Sequence, residues 1–275
     1  MQSVPTVTLN NGVAMPQIGF GVFQVPDAEA ESIVATAIEA GYRSIDTATL
    51  YENEEGTGRG IASSGLAREE LFVTTKLWNT DQGYDSALRA FDASLNKLGL
   101  DYVDLYLIHW PAPERGAYLD TWRAFERIHS EGRARAIGVS NFQPAHLERL
   151  FEASEVTPAV NQIELHPNLQ QAPLRESHAK NGIATEAWSP LGQGKGLLDD
   201  PALAGIAAKH GVSPAQVALR WSIQLGNVVI PKSATPSRVR ENLDVFGFEL
   251  DEEDMSTIAG LHTGNRVGPD PDTLN

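Results

Sequence analysis

Residues 71–109 read LFVTTKLWNTDQGYDSALRAFDASLNKLGLDYVDLYLIH. The run 71–76 is short, apolar and partly β-branched, which suits a buried strand. Over 84–98 the apolar residues recur at helical spacing, and Gly99 follows, where a left-handed C-terminal residue costs least. A second apolar run covers 103–109. The segment therefore predicts strand, helix, strand, with a crossover long enough to leave the two strands parallel.

The same rhythm extends in both directions. Eight runs read as strands: 19–22, 43–46, 71–76, 103–109, 135–140, 159–164, 183–188 and 227–230. Helical patterns follow them at 28–40, 54–64, 84–98, 119–131, 144–153, 174–181, 214–224 and 238–245. Gly41, Gly65, Gly99, Gly132, Gly182, Gly211 and Gly226 each follow a periodic segment, and Ser213-Pro214 reads as an N-cap with proline in the first turn. Near the start, 6–9 and 13–15 around Asn11-Gly12 predict a hairpin. Eight strand–helix units in this length predict a closed (β/α)8 TIM barrel, taken here as a single domain over 1–275. The alternative is an open doubly wound sheet, which would normally show G-x-G-x-x-G after its first strand; the chain has none. The short C-terminal tail, 262–275, lacks periodicity and is either disordered or draped over one end of the barrel.

The chain has 275 residues and a formal net charge of −15. That balance argues against a nucleic-acid or anionic-membrane partner. Cysteine is absent, which removes disulfides, thiolate metal sites and a cysteine nucleophile. The start carries no signal-peptide pattern, and no apolar stretch approaches the ~18 residues of a bilayer span. A cytoplasmic monomer is the expectation. Residues 138–142 lack the closing glycine of a nucleophile elbow, and 192–196 lack the hydroxyl residue that completes a P-loop. H-E-x-x-H is missing and no metal site is expected.

In a parallel barrel, chemistry gathers at the carboxyl ends of the strands. Asp46, Lys76 and His109 end the second, third and fourth runs. Ser140-Asn141, Gln162 and Trp188-Ser189 lie at or beside the ends of the fifth, sixth and seventh, and Lys232-Ser233 follow the eighth. Asp46 and Lys76 could be a structural ion pair. Tyr51, on the loop five residues past Asp46, suggests instead a proton donor whose acidity a neighbouring lysine raises, with Asp46 orienting the lysine. His109 reads either as a core histidine or as a second donor. Phe23, Trp78 and Trp110 read as core aromatics or as walls of an apolar pocket. Trp188 is either core or a flat platform for a ligand ring. Ser140, Asn141 and Gln162 are ordinary strand-end hydrogen bonders or, together, a clasp for a carboxamide. Residues 231–242 bring Lys232, Arg238 and Arg240 to the start of the last helix. They form either a solvated basic face or a phosphate site.

At these positions the sequence resembles the aldo-keto reductase family, and especially its bacterial members of the 2,5-diketo-D-gluconic acid reductase type. Three stretches carry the resemblance: 41–48 with Tyr51 and Glu54; 137–142; and 230–233 with Arg238, Glu241 and Asn242. The resemblance implies an NADPH-dependent oxidoreductase that reduces small carbonyls (diketo sugar acids, α-dicarbonyls, aldehydes) without a metal. It implies a catalytic set of Asp46, Tyr51, Lys76 and His109. Ser140, Asn141 and Gln162 would hold the nicotinamide carboxamide, and Trp188 would stack on its ring. Ser189, Leu191, Gly192 and Gln193 would strap the pyrophosphate. Lys232, Ser233 and Arg238 would grip the 2′-phosphate, and Glu241 and Asn242 would meet the adenine. Thr57 departs from the family pattern, which has an aliphatic residue there; it is expected on a helix away from the chemistry. Two other readings are an NADPH-binding redox sensor with little turnover and a barrel aldolase or isomerase using Lys76 as a Schiff-base amine.

Overall fold

The computed structural model describes residues 4–275. A hairpin of β1 (Thr6–Thr8) and β2 (Ala14–Pro16) comes first. The chain then runs β3 (Phe20–Gly21), α1 (Asp27–Ala40), β4 (Ser44–Asp46), α2 (Glu54–Ser63), β5 (Phe72–Leu77), α3 (Tyr84–Leu98), β6 (Val103–Ile108), α4 (Tyr118–Ser130), β7 (Ala134–Ser140), α5 (Pro144–Ala153), β8 (Val160–Glu164) and α6 (Ala172–Lys180). It continues through β9 (Ala184–Trp188), α7 (Pro201–His210), α8 (Pro214–Gln224), β10 (Val228–Val229), α9 (Pro236–Leu243) and α10 (Glu252–Ala259).

Strands β3 to β10 pair in parallel in chain order. The two ends of this sheet meet. Ile18 bridges Val229, Gly19 N donates to Val229 O at 2.8 Å, and Gly21 N donates to Pro231 O at 3.1 Å. The sheet is thus a (β/α)8 barrel, and the open alternative falls away. All seven glycines expected to end helices have positive φ.

Alternation along the strands sorts side chains into two cores. On β5, Thr75 points outward and donates to Glu54 of α2 at 2.7 Å, while its neighbour Lys76 points inward. Tyr106, Phe91 and Phe125 belong to the layer between barrel and helices, together with Val73, Ile108 and Trp122. Leu105, Leu107, Ala136 and Val160 fill the inside with Leu9 and Met15 from the hairpin. Asn11 Nδ2 donates to Arg135 O at 2.9 Å, fixing the hairpin over the amino ends of the strands. The hairpin stoppers that end, which leaves the carboxyl ends as the open mouth.

Two helices exceed the one-per-strand rhythm. α7 starts at Asp200, whose carboxylate accepts from Ala202 N at 2.8 Å, and ends at Gly211. α10 starts at Asp251 with a reciprocal bond to Asp254. Lys209 and His210 of α7 bond Asp254, so the two extra helices clamp each other. The tail is draped, not free. Val267 N and Gly268 N donate to Glu164 at 2.5 and 3.0 Å, Lys195 Nζ donates to Val267 O at 2.8 Å, and Glu114 N donates to Asn275 Oδ1 at 2.7 Å.

Candidate active site

The mouth of the barrel gathers polar groups that the strands deliver one by one. Asp46 closes β4, and Lys76 lies near the end of β5, the neighbouring strand. Lys76 Nζ donates to Asp46 Oδ1 at 2.6 Å, to Thr47 O at 2.9 Å and to Tyr51 OH at 3.3 Å. Those three contacts use all of the ammonium's protons. Lys76 is fully buried, so the charge survives only because these acceptors replace water. Burial is the largest single influence and works against the ammonium, yet the Asp46 charge and hydrogen bond together with the Tyr51 and Glu186 charges outweigh it and hold the lysine above its ordinary value.

Tyr51 sits on a short helical turn, Thr49–Tyr51, at the same rim. Lys76 acts on the phenol in the expected direction, but it does not prevail. Burial pushes the phenol above its ordinary value, and the Lys76 charge recovers only part of that rise. The lysine moderates the tyrosine without bringing it to neutrality. At neutral pH the phenol keeps its proton, as a donor must.

His109 follows β6 and packs edge-on against both Tyr51 and Trp78, with ring centroids 5.7 and 5.3 Å away. Burial, and after it the Lys76 charge, holds its imidazole well below the usual histidine range. Its Nδ1 is buried with no hydrogen-bond partner among the described residues. A bare acceptor there costs less than a stranded N–H, so the proton belongs on Nε2. His109 is therefore a neutral hydrogen-bond donor, not a second acid.

On the other side, Ser140, Asn141, Gln162 and Trp188 form one connected network. Ser140 Oγ donates to Gln162 O at 2.8 Å, Asn141 Nδ2 donates to Ser140 Oγ and His109 O at 3.0 Å each, and Trp188 Nε1 donates to Asn141 Oδ1 at 2.8 Å. Asn141 and Ser189 follow β7 and β9 with φ of 64° and 50°, a left-handed geometry that non-glycine residues adopt at a cost. The strain turns the chain sharply at the rim, and Asn141 reaches back over the strand ends.

Two clefts open from here. One, of about 270 Å³, is walled by Phe23, Leu50, Tyr51, Trp78, His109 and Trp110, and by Gly268, Pro269 and Leu274 of the tail. Ser140, Asn141, Gln162 and Trp188 line its inner side. The second, of about 540 Å³, shares Phe23, Ser189 and Gln193 with it and runs outward past Leu191, Lys232, Ser233, Arg238, Glu241 and Asn242. Every expected site residue thus lies on one of the two clefts or in the polar floor beneath them, except Gly192. Gly192 is buried beside Leu197, and a Cβ there would lie 2.9 Å from the leucine's Cβ. It shapes the loop and does not line the cleft. Lys232 and Arg238 make no ion pair among the described residues.

The sequence reading missed three things. Glu186 lies two residues before Trp188 on β9, and Gln162 Nε2 donates to it at 2.8 Å while also donating to Asp46 Oδ2 at 2.8 Å. Glu164, two residues past Gln162 on β8, anchors the tail with His166 bonded beside it at 2.9 Å. In both cases the period of two that governs strands was the available signal. The tail's part in the cleft wall had no local signal. Among the described residues no cluster of side chains suits a metal, and no helix is long and apolar enough to cross a membrane.

The chain is similar to known proteins along nearly its whole length. The sequence pattern of the Aldo/keto reductase family matches residues 17–262. An aldo-keto reductase of Mycolicibacterium smegmatis is 60% identical over 271 residues, 98% of either chain. The glyoxal reductase of Bacillus subtilis is 56% identical over 270 residues, 98% of this chain and 97% of that one. The crystal structure of the Bombyx mori aldo-keto reductase in complex with NADP superposes with a TM-score of 0.93 at 39% identity, covering 99% of this chain and 97% of that one. A barrel whose mouth carries a buried lysine between a carboxylate and a phenol, and whose sequence matches along nearly its whole length, is a member of the aldo/keto reductase family.

Proposed function

We propose that the protein reduces small, uncharged carbonyl compounds to alcohols with NADPH. The observation that carries this reading is the Lys76 ammonium bonded at once to Asp46 and to the Tyr51 hydroxyl, at the floor of an aromatic cavity. The residues of the second cleft fit the dinucleotide. Lys232 and Arg238 stand free of carboxylates in a chain of net charge −15, where an unpaired cation pair favours a phosphate. Gln162 has both amide protons committed inward and only its carbonyl oxygen left for a ligand. NADPH, when bound there, would supply a hydride.

The chain's own residues do the rest. His109 Nε2–H and Tyr51 O–H meet the substrate oxygen and hold it in place. As negative charge develops on that oxygen, Tyr51 gives up its proton, since an alkoxide is a stronger base than a phenolate. Lys76 stabilises the phenolate left behind, and solvent reprotonates it. Phe23, Trp78 and Trp110 keep water from the reacting centre.

The cavity also favours one substrate class. No Lys, Arg, Asp or Glu lines it. A diketo sugar acid would bring a carboxylate to a wall with no cation, and an α-dicarbonyl or aldehyde would not. The relation to a glyoxal reductase points the same way. The test follows NADPH absorbance with methylglyoxal and with a keto acid of similar size. Methylglyoxal is the faster substrate, and Tyr51→Phe lowers its turnover about 10³-fold while NADPH still binds. Retention of most turnover by that variant removes the proton-donor role. NADPH binding with no turnover on any carbonyl favours the redox-sensing alternative.

A further inference from the structure

The mouth of the barrel holds one buried carboxyl that the reaction above does not use. Glu186 is fully buried, and its register partner on β8 is Gln162. Gln162 Nε2 has two protons. One goes to Asp46 Oδ2 and the other to Glu186 Oε2, both at 2.8 Å. The other oxygen of Glu186, Oε1, is buried and has no partner among the described residues. An ionised carboxylate with one bare oxygen in such a place is an uncompensated charge, whereas the neutral acid strands a single O–H, which is the smaller of the two penalties.

We propose that Glu186 is a positioning residue for the reduction: as a neutral acid it helps Asp46 turn the Gln162 amide carbonyl toward the cofactor cleft, and by shedding its proton it changes the charge of the Asp46–Lys76–Tyr51 cluster. This rests on the carbonyl-reductase reading above. The charges facing Glu186 are Asp46 from β4, Lys76 from β5 and the Tyr51 hydroxyl from the turn after β4; Gln162 on β8 is its neutral partner. Burial, and after it the Asp46 charge, pushes the Glu186 carboxyl up to about 8, with the Gln162 hydrogen bond and then Lys76 opposing only in part. The ordinary carboxylate range lies far below that value, so near pH 7 the proton stays on.

The sign follows. While Glu186 is neutral, Asp46 and Lys76 cancel. Once it ionises, the cluster carries one net negative charge, and that charge holds the Tyr51 proton more tightly. Proton delivery to the forming alkoxide then becomes harder, so reduction falls as pH rises through the titration of Glu186. The titration belongs to the whole cluster, and the kinetic profile reports it as such. The Asp46 carboxylate sets the sense of the amide, because a flipped Gln162 would turn its oxygen toward that charge, and Glu186 supports this sense by accepting the second amide proton.

The experiment is the pH profile of kcat/KM for methylglyoxal reduction in the wild type and in Glu186→Gln, a neutral side chain of the same shape. The wild type loses activity through the range near its titration. In E186Q this alkaline limb moves to higher pH by at least about half a unit. Glu186→Leu removes the acceptor and leaves one Gln162 proton stranded; NADPH binding, read by fluorescence, weakens by about fivefold or more. A purely structural role lowers the melting temperature of both variants and leaves the profile in place, and that result overturns the proposal. Infrared pH-difference spectra of the wild type give a second reading that needs neither turnover nor a folded variant. A buried carboxylic-acid C=O band vanishes as pH rises through the neutral-to-alkaline range. Its absence at neutral pH likewise overturns the proposal, whereas failure of every carbonyl to consume NADPH with the band present overturns the reductase reading alone.

Discussion

Lys232 and Arg238 are exposed cations at the rim of the longer cleft, next to the Ser233 hydroxyl and the start of α9. If they grip a 2′-phosphate, their removal distinguishes the two nicotinamide dinucleotides. Lys232→Ala or Arg238→Ala weakens NADPH by roughly 10-fold or more and barely affects NADH, as the loss of a charge-assisted contact implies. Isothermal titration with both cofactors checks this, and equal losses remove the phosphate grip. Thr57 makes the opposite point about polar groups. It lies on α2, away from the chemistry as expected, fully buried, and its hydroxyl has no partner among the described residues. Thr57→Val removes that stranded group at constant shape and stabilises the protein by about 1 kcal/mol, read from urea denaturation. Most site residues were legible because charged and amide side chains at the ends of apolar strands stand out. Glu186 was hidden because it sits within a strand that otherwise reads Ala-Thr-Glu-Ala-Trp, where one carboxyl looks like a solvent-facing residue.

At the scale of elements, α2 is the tightest fit. Its glycines at 56, 58 and 60 face α1 and the end of α3. A Cβ on Gly56 would lie 2.3 Å from Asp27 O, and one on Gly58 would lie 2.2 Å from Leu98 O. These obstacles are backbone atoms, which no rotamer change relieves. Alanine would gain about 1 kcal/mol of helix propensity at Gly58. The clash costs about 3 kcal/mol, so the net effect of Gly58→Ala is destabilising, measured by thermal or urea unfolding. Activity at saturating substrate is the less affected readout, because Gly58 lies outside both clefts. The eight strands and their helices were legible to within a few residues because two periodicities alternate along the chain. α7 was not, although Asp200-Pro201 and Gly211 mark its two ends. One helix per strand already accounted for that stretch, and a helix of mostly small residues has little amphipathic signature. α10 follows the last unit of the repeat and has no place in its rhythm. The course of the tail is set by main-chain bonds to Glu164 and Lys195, which leave no trace in side-chain pattern.

At the scale of the whole molecule, acid is the informative perturbation. His178 of α6 is fully buried between Asn161 Nδ2 and Thr185 Oγ1, each 2.9 Å away. Burial, helped by the Arg175 charge, holds its imidazole down to about 4. A depressed histidine contributes stability that is complete above the ordinary value near 6.5 and is lost as pH falls toward the folded value. Between those limits the unfolded chain binds the proton and the folded one does not, so stability falls by about 3 kcal/mol from this residue alone. Urea midpoints between pH 7 and 4 show the fall, and His178→Gln flattens it. The loss spreads, because Asn161 also holds Phe142, the residue after Asn141, through a bond to Phe142 O at 2.9 Å. If 1–275 is one folding unit, as the repeat count led us to expect, calorimetry shows a single transition at each pH.

The fastening of the tail carries a consequence for variation at the mouth. Glu164 grips the amide groups of Val267 and Gly268, and Lys195 grips a carbonyl, so the buckle engages atoms that every residue type except proline possesses. Pro269 and Leu274, which the buckle does not touch, can be exchanged to repaint the substrate wall while the strap stays closed. Gly268 is the exception: any larger letter there would run into the Trp188 indole, 2.5 Å from where its first carbon would go.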